Sequence, residues 1–359
     1  MKTCSLILAL SSLLLMISCE KNPTEIESNQ YSWKFSTPSE QGIDPARLDS
    51  AYNQAQLEGF IDGLLVIRNG YIIGEKYFNG YGVNTPHNVM SVSKSFLSAI
   101  TGLAFQQGYL DSLNEKLLDY FPEYIYPGID ERKYQITIRH LLTMRMGIED
   151  DTENYFEIYH SSNWIKTTIE WPLLFAPGER MRYNTFQTHL LSAILTRASQ
   201  MSTLELARKV LTNPMGITID AWEQDPQGYY FGGNSMFFTP REMAVLGYMY
   251  MSEGRLNDVQ IVPQEWVEFT LTSSTNSPPN AWGAFKNYNY AYLWWLGQIY
   301  QYDLFLAYGH GGQFIACFPD LNVIIVSTAN NQVDYDTATL QEWAIFDIME
   351  KYILPAVLD

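Results

Sequence analysis

Runs of β-branched and aromatic residues occupy both ends of this 359-residue chain and leave its middle to helical spacing, which limits the possible folds more than any other feature. Near the front, Gly63 to Arg68 and Tyr71 to Tyr77 flank Asn69-Gly70, a pair that suits a two-residue hairpin because both residues tolerate positive φ. Near the end, Ala291 to Leu296, Leu304 to Tyr308, Phe314 to Phe318 and Val323 to Ser327 read as strands separated by turn residues. Between these groups, Ile138 to Met144, His189 to Ala198 and Pro240 to Met251 carry helical periodicity, and a last amphipathic segment runs from Ala338 to Tyr352. Strands at both ends with helices between them predict one mainly antiparallel sheet closed by pairing between distant parts of the sequence. The expected class is α/β (α+β), with helices flanking the sheet and a helical lobe inserted. The sheet lobe is expected over about 36–85 and 285–359, the helical lobe over about 86–284, and the active site between them. The turn-rich stretch Ser273 to Asn280 is expected to help wall that cleft.

The chemistry concentrates at Asn88-Val89-Met90-Ser91-Val92-Ser93-Lys94-Ser95-Phe96. Phe96, Ile100, Leu103 and Ala104 recur at helical spacing, with Gly108 as a stop, so Ser91 falls at the first turn of a helix. Positions three apart share a helix face, which lets the Lys94 side chain reach the Ser91 hydroxyl. A serine hydroxyl is a poor nucleophile at neutral pH without a neighbouring base. Burial would turn the lysine into one, because desolvation disfavours its charged form. The helix N-terminus favours the negative charge that develops during attack on a carbonyl. Ser-x-x-Lys is nevertheless a short pattern that also occurs at Ser18-Cys19-Glu20-Lys21, and spacing alone leaves an ordinary serine-capped helix open.

Met1 to Ser18 has a lysine at position 2 followed by an apolar run from Leu6 to Ile17, too short for a comfortable membrane span and placed like a secretory leader. Small Ser18 before Cys19 resembles the lipobox of bacterial lipoproteins, with Met16 in the place of the usual leucine. That resemblance implies lipidation of Cys19, a polar tether over residues 19–35, and a location in the bacterial cell envelope, periplasmic or at the surface. An ordinary cleaved leader is the alternative. With 22 basic against 39 acidic residues and no basic cluster, a nucleic-acid partner is excluded, and a membrane would be reached through the lipid. Cys4, Cys19 and Cys317 leave no internal disulfide once the leader is gone, and Cys317 reads as core. No metal-binding, nucleotide-binding or Gly-x-Ser-x-Gly pattern is present, so neither a metal nor a cofactor is expected.

Six segments in order carry a resemblance: Pro38-Ser39-Glu40-Gln41-Gly42-Ile43-Asp44, Ser91 to Phe96, Ile138 to Met144, Pro177-Gly178-Glu179-Arg180-Met181-Arg182-Tyr183, Thr239-Pro240-Arg241-Glu242-Met243-Ala244 and Gly309-His310-Gly311-Gly312-Gln313. Together they resemble the serine β-lactamase-related family, which includes class C β-lactamases, penicillin-binding DD-peptidases, family VIII esterases and 6-aminohexanoate-dimer hydrolases. The resemblance implies a β-lactamase/transpeptidase-like fold, Ser91 as nucleophile, Lys94 as its partner, and Tyr183 as the tyrosine of a Tyr-x-Asn element whose third residue is here Thr185. It further implies that a Tyr183 phenolate beside the lysine shares the proton transfers, and that the backbone N–H groups of Ser91 and Gln313 form an oxyanion hole. Thr185, His310, Gly311 and Gly312 are the implied substrate contacts, with His310-Gly311-Gly312 standing where β-lactamases carry Lys-Thr-Gly. His87, His140, His160 and His189 are expected to be packing or surface residues. The implied activity is hydrolysis of small esters, amides or related acyl compounds through an acyl-enzyme. The alternatives are a silent envelope binding lipoprotein and a true β-lactamase or DD-peptidase.

Overall fold

The computed structural model describes residues 31–272 and 279–358. The leader, Cys19 and most of the Ser273 to Asn280 loop lie outside the described residues.

Thirteen strands are described: β1 (Lys34–Phe35), β2 (Ile61–Arg68), β3 (Tyr71–Tyr77), β4 (His87–Asn88), β5 (Phe237–Phe238), β6 (Arg255–Leu256), β7 (Val259–Gln260), β8 (Ala281–Trp282), β9 (Phe285–Ala291), β10 (Trp294–Ile299), β11 (Tyr302–Gly309), β12 (Gln313–Phe318) and β13 (Val323–Ala329). Nine of them form one sheet in the order β1-β3-β2-β13-β12-β11-β10-β9-β8. All its neighbours run antiparallel except β1 beside β3. The distant pairing expected from the sequence is the one between β2 and β13, which sets Leu64 opposite Ser327 and Arg68 opposite Val323. The β2–β3 hairpin turns at Asn69 and Gly70 with φ of 52° and 79°, as that dipeptide predicts.

The expected strand from Ala291 to Leu296 is instead a hairpin corner. β9 ends at Ala291, and Tyr292 and Leu293 turn with φ of 44° and 73° before β10 begins at Trp294. An aromatic and aliphatic turn without glycine, proline or asparagine carries no punctuation that periodicity could detect.

Alternation along the central strands sorts the core into two layers. Leu65, Ile67, Phe305, Ala307, Ile315, Cys317, Ile324 and Val326 face one layer, which holds Phe96, Leu97, Ile100 and Leu103 of the Ser93–Gln106 helix. Leu64, Val66, Leu304, Leu306, Phe314, Ala316 and Ile325 face the other, closed by Leu48 and Tyr52 of the Pro45–Glu58 helix and by Ile345 and Phe346 of the Tyr335–Ile348 helix. Each such large side chain contributes about 1.5 to 3 kcal/mol on burial, so the Ser93–Gln106 helix is anchored firmly along its length. The Pro240–Met251 helix starts with a Thr239–Glu242 capping box, and a Cβ on its Gly247 would lie 2.7 Å from Ile315. It therefore lies directly on β12. No helix among the described residues is long and apolar enough to cross a membrane.

Candidate active site

The chain enters the Ser93–Gln106 helix through a 3-10 turn, Met90–Val92, rather than placing Ser91 in the α-helix itself. Met90 has φ 51°, an unfavourable region for a residue with a side chain, and it stands immediately before Ser91. Three serines lie close together here, and their partners tell them apart. Ser93 Oγ accepts the Met236 N–H and Ser95 Oγ donates to Leu293 O, so both are structural. Ser91 Oγ instead lies 2.8 Å from Lys94 Nζ.

Lys94 is 1% exposed, and its nitrogen also reaches Gly233 O at 2.7 Å and Thr185 Oγ1 at 3.1 Å. Burial pulls its pKa down from 10.5 to about 7, against the pull of the Asp151 carboxylate. A substantial share of free amine at neutral pH follows from that value. Gly233 can approach only because it lacks a side chain, since a Cβ there would stand 2.5 Å from Thr185 Cγ2.

Tyr183 precedes the Thr185–Ser199 helix, and its hydroxyl lies within hydrogen-bonding reach of Ser91. Lys94 Nζ stands over the Tyr183 ring, 4.8 Å from its centroid, rather than against the phenol oxygen. Burial raises the Tyr183 pKa, so the phenolate implied by the family pattern gives way to a neutral phenol beside a lysine whose charge burial disfavours. Asn184, the middle residue of this element, caps the helix by accepting from Phe186 N–H and donates to Asn154 and to Glu149 O.

Thr185, expected on the substrate side, is 3% exposed and is instead a partner of Lys94. Its hydroxyl is 2.6 Å from Asp151 Oδ2 and its N–H donates to Asp151 Oδ1 at 2.8 Å. Asp151 opens the Asp151–Tyr159 helix, and burial raises its carboxyl pKa while Lys94 and Thr185 oppose the rise. Nothing in the sequence singled it out, since it stands in the acidic run Glu149-Asp150-Asp151 without any motif spacing.

The His310-Gly311-Gly312 segment is the turn between β11 and β12. The resemblance implied glycines opened toward substrate, and the structure turns them the other way. Gly311 and Gly312 have φ of 77° and 102°, and side chains on them would collide with Asn330 O and Ile345. Gly311 N–H donates to Glu342 Oε1, and that buried carboxylate also takes the Tyr308 hydroxyl and the Trp282 indole N–H. Both glycines therefore serve the tight turn and its packing on the Tyr335–Ile348 helix. The His310 ring meets Val333 O at 3.0 Å, which ties it to the backbone instead of leaving it as a free anion contact. Gln313 locks its side chain to Ala329 through both amide atoms. Gly309, opposite Gln313 in the register, is the glycine that faces the Met90–Val92 turn: a Cβ on it would lie 2.5 Å from Val89 O and 3.2 Å from Met90 Cβ.

Aromatic rings adjoin Tyr183. Trp295 stacks on it at 5.8 Å, Tyr290 meets its edge at 5.7 Å, and Tyr308 lies 6.2 Å beyond Trp295. The four remaining histidines are packing residues or surface residues: His189 bonds Asp225, His140 accepts from Thr137 N–H, His87 stacks on Tyr81, and exposed His160 lies on Phe156. No cluster of three or more His, Cys, Asp or Glu among the described residues could hold a metal ion.

A serine at a helix start, a buried lysine against it and a tyrosine alongside, all at one end of a mostly antiparallel sheet, define the β-lactamase/transpeptidase-like class of fold. A family model described as Beta-lactamase matches residues 54–350, and the chain belongs to that family. It is 25% identical over 258 residues to the 6-aminohexanoate-dimer hydrolase of Paenarthrobacter ureafaciens, a match covering 65% of this chain and 64% of that protein, just under two thirds of its length. Among solved structures, the octameric penicillin-binding protein homologue from Pyrococcus abyssi superposes with TM-score 0.65 at 20% identity, covering 87% of this chain and 79% of that one. EstCE1, a hydrolase with promiscuous acyltransferase activity, gives TM-score 0.67 at 17% identity over 85% of this chain and 98% of its own.

Proposed function

We propose that the protein is a serine hydrolase that forms an acyl-enzyme on Ser91 and acts on neutral carboxylic esters or amides. The observation that carries this reading is the buried Lys94, held 2.8 Å from Ser91 Oγ with a pKa near 7. Such a group can act as a base at neutral pH, because burial disfavours its charged form. As the Ser91 oxygen bonds to the acyl carbon, its proton passes to Lys94 Nζ. The tetrahedral oxyanion is held by the backbone N–H groups of Ser91 and Gln313. When the bond to the leaving group breaks, the neutral Tyr183 phenol gives that group a proton. Water then attacks the acyl-enzyme ester and gives a proton to the Tyr183 oxygen, and Lys94 Nζ returns its proton to Ser91 Oγ as the acid leaves, restoring all three residues.

Preference for uncharged substrates is supported by what surrounds Ser91. Among the described residues, no ammonium or guanidinium other than Lys94 hydrogen-bonds Ser91 or lies over the Tyr183 ring, and the further charges acting on Tyr183 are the carboxylates Asp151 and Glu342. A substrate carboxylate would find no charge-assisted partner, a loss of roughly 1.5 to 3 kcal/mol. The test is fluorophosphonate labelling mapped by mass spectrometry, followed by specificity constants for a short-chain nitrophenyl ester and nitrocefin. Labelling at Ser91, its loss in Ser91→Ala, and a better ester than nitrocefin are expected; an adduct on another serine or a preference for nitrocefin would overturn the reading. The same proposal includes export and lipidation at Cys19, supported by the leader and lipobox-like sequence alone.

A further inference from the structure

Lys94 Nζ has three polar neighbours, and their chemistry settles which can donate. Gly233 O, a carbonyl at 2.7 Å, only accepts. Thr185 Oγ1 has one proton, and its 2.6 Å approach to Asp151 Oδ2 commits that proton to the carboxylate. The other carboxylate oxygen takes the Thr185 N–H at 2.8 Å, so both oxygens of Asp151 accept from the same residue. With its proton spent, the Thr185 oxygen can only accept from Lys94, which lies 3.1 Å away. A free amine has two N–H bonds and one lone pair. Two fixed acceptors occupy the N–H bonds, and the lone pair is left for the third neighbour, Ser91 Oγ at 2.8 Å.

We infer that Asp151 is a positioning residue of this site: by fixing the direction of the Thr185 hydroxyl, it aims the Lys94 lone pair at the proton of Ser91. The inference rests on the reading of Ser91 as the nucleophile and adds a residue outside the serine, lysine and tyrosine set. Asp151 is itself fixed, since its N–H donates to Tyr183 O at 3.1 Å. After the proton moves from Ser91 to Nζ, the same two acceptors still hold two N–H bonds and the third points back along the reaction path. No rearrangement of the base is needed between the two protonation states. The other titratable groups facing this pair are Tyr183, under Nζ, then Asp150, Tyr155 and Tyr290 around Asp151, with Glu223 beside Tyr155 and Glu342 behind Tyr183. Among the described residues none of these hydrogen-bonds Nζ.

The experiment is the pH dependence of fluorophosphonate labelling at Ser91 in the full chain and in Asp151→Asn, Thr185→Val and Thr185→Ser, with circular dichroism as the folding control. An asparagine amide can donate to Thr185 Oγ1, which frees that hydroxyl to donate to Lys94 and draw its lone pair away from Ser91. Asp151→Asn and Thr185→Val should each lower the plateau labelling rate about 10- to 100-fold, whereas Thr185→Ser, which keeps the hydroxyl, should retain most of it. In Asp151→Asn the acid limb should also move to lower pH, because removing the neighbouring anion favours the uncharged amine. A residue with a merely structural role would leave that limb in place. Labelling of the parent with an unchanged plateau and limb in Asp151→Asn would overturn the inference alone. No labelling of the parent would overturn the hydrolase reading and this inference together. If Asp151→Asn does not fold, the Thr185 pair decides, and equal rates for Val and Ser would overturn the inference.

Discussion

Lys94 is the residue on which the site's pH behaviour depends. Its folded pKa of about 7 lies below the ordinary 10.5 because burial penalises the charge. Between those two values the unfolded chain holds a proton on this side chain that the folded protein has given up. Unfolding therefore binds a proton, and stability rises with pH across that window. Lys94→Met removes this contribution, so the parent should gain on the variant by roughly 3 to 5 kcal/mol between neutral pH and the ordinary lysine range. Urea melts of both proteins at several pH values measure the difference, and parallel curves would refute a depressed lysine. At this scale the sequence was informative where chemistry is local. The three-residue spacing of Ser91 and Lys94 put them in reach, and the structure pairs them. Asp151 and Gly233 were illegible because they stand 57 and 139 positions from Lys94, one acting through Thr185 and the other through its carbonyl, and no periodicity links either to it.

The β11–β12 hairpin shows how an element can be located correctly and its glycines misassigned. Alternating apolar runs placed both strands within a residue or two at most of their ends, and family resemblance marked the turn between them. Which way each glycine faces depends on the Tyr335–Ile348 helix behind and the Met90–Val92 turn in front, and neither is implied by Gly309 to Gln313 alone. Gly309 carries the functional constraint. Its neighbour is backbone, which cannot rotate aside, so a methyl group 2.5 Å from Val89 O must push the hairpin and the nucleophile turn apart. Gly309→Ala should cost about 1 to 3 kcal/mol of stability and lower the Ser91 labelling rate well beyond that of a surface glycine substitution. A thermal melt and a labelling time course test this, and an unchanged labelling rate would show that the two elements do not set each other's position. The same dependence on context hid the β9–β10 corner, where Tyr292 and Leu293 look like strand and turn because of what they connect.

On the scale of the whole molecule, strands at both ends and helices between them were enough to derive the sheet and its distant pairing, because only that closure satisfies both groups of apolar runs. The division of labour between leader, tether and folded part is the matching expectation for the N-terminus. The tether expected over 19–35 ends earlier, because Tyr31 and Trp33 pack on the core and β1 joins the sheet beside β3; residues 20–30 are polar, so the catalytic unit should work without its anchor. Cys19→Ala should abolish partition into detergent while leaving ester hydrolysis unchanged, and equal partition of both forms would sink the lipid assignment. The pairing of β2 with β13 also has a consequence in time. A ribosome finishes residues 61–68 long before residues 323–329 exist, so the first hairpin waits with one edge unfilled for most of synthesis. The nucleophile turn waits with it, since Gly309 and β11 arrive more than two hundred residues later. On the reading of Ser91 as nucleophile, such a chain should become competent only in one late step, when its final strands reach the front of the molecule and close the gap.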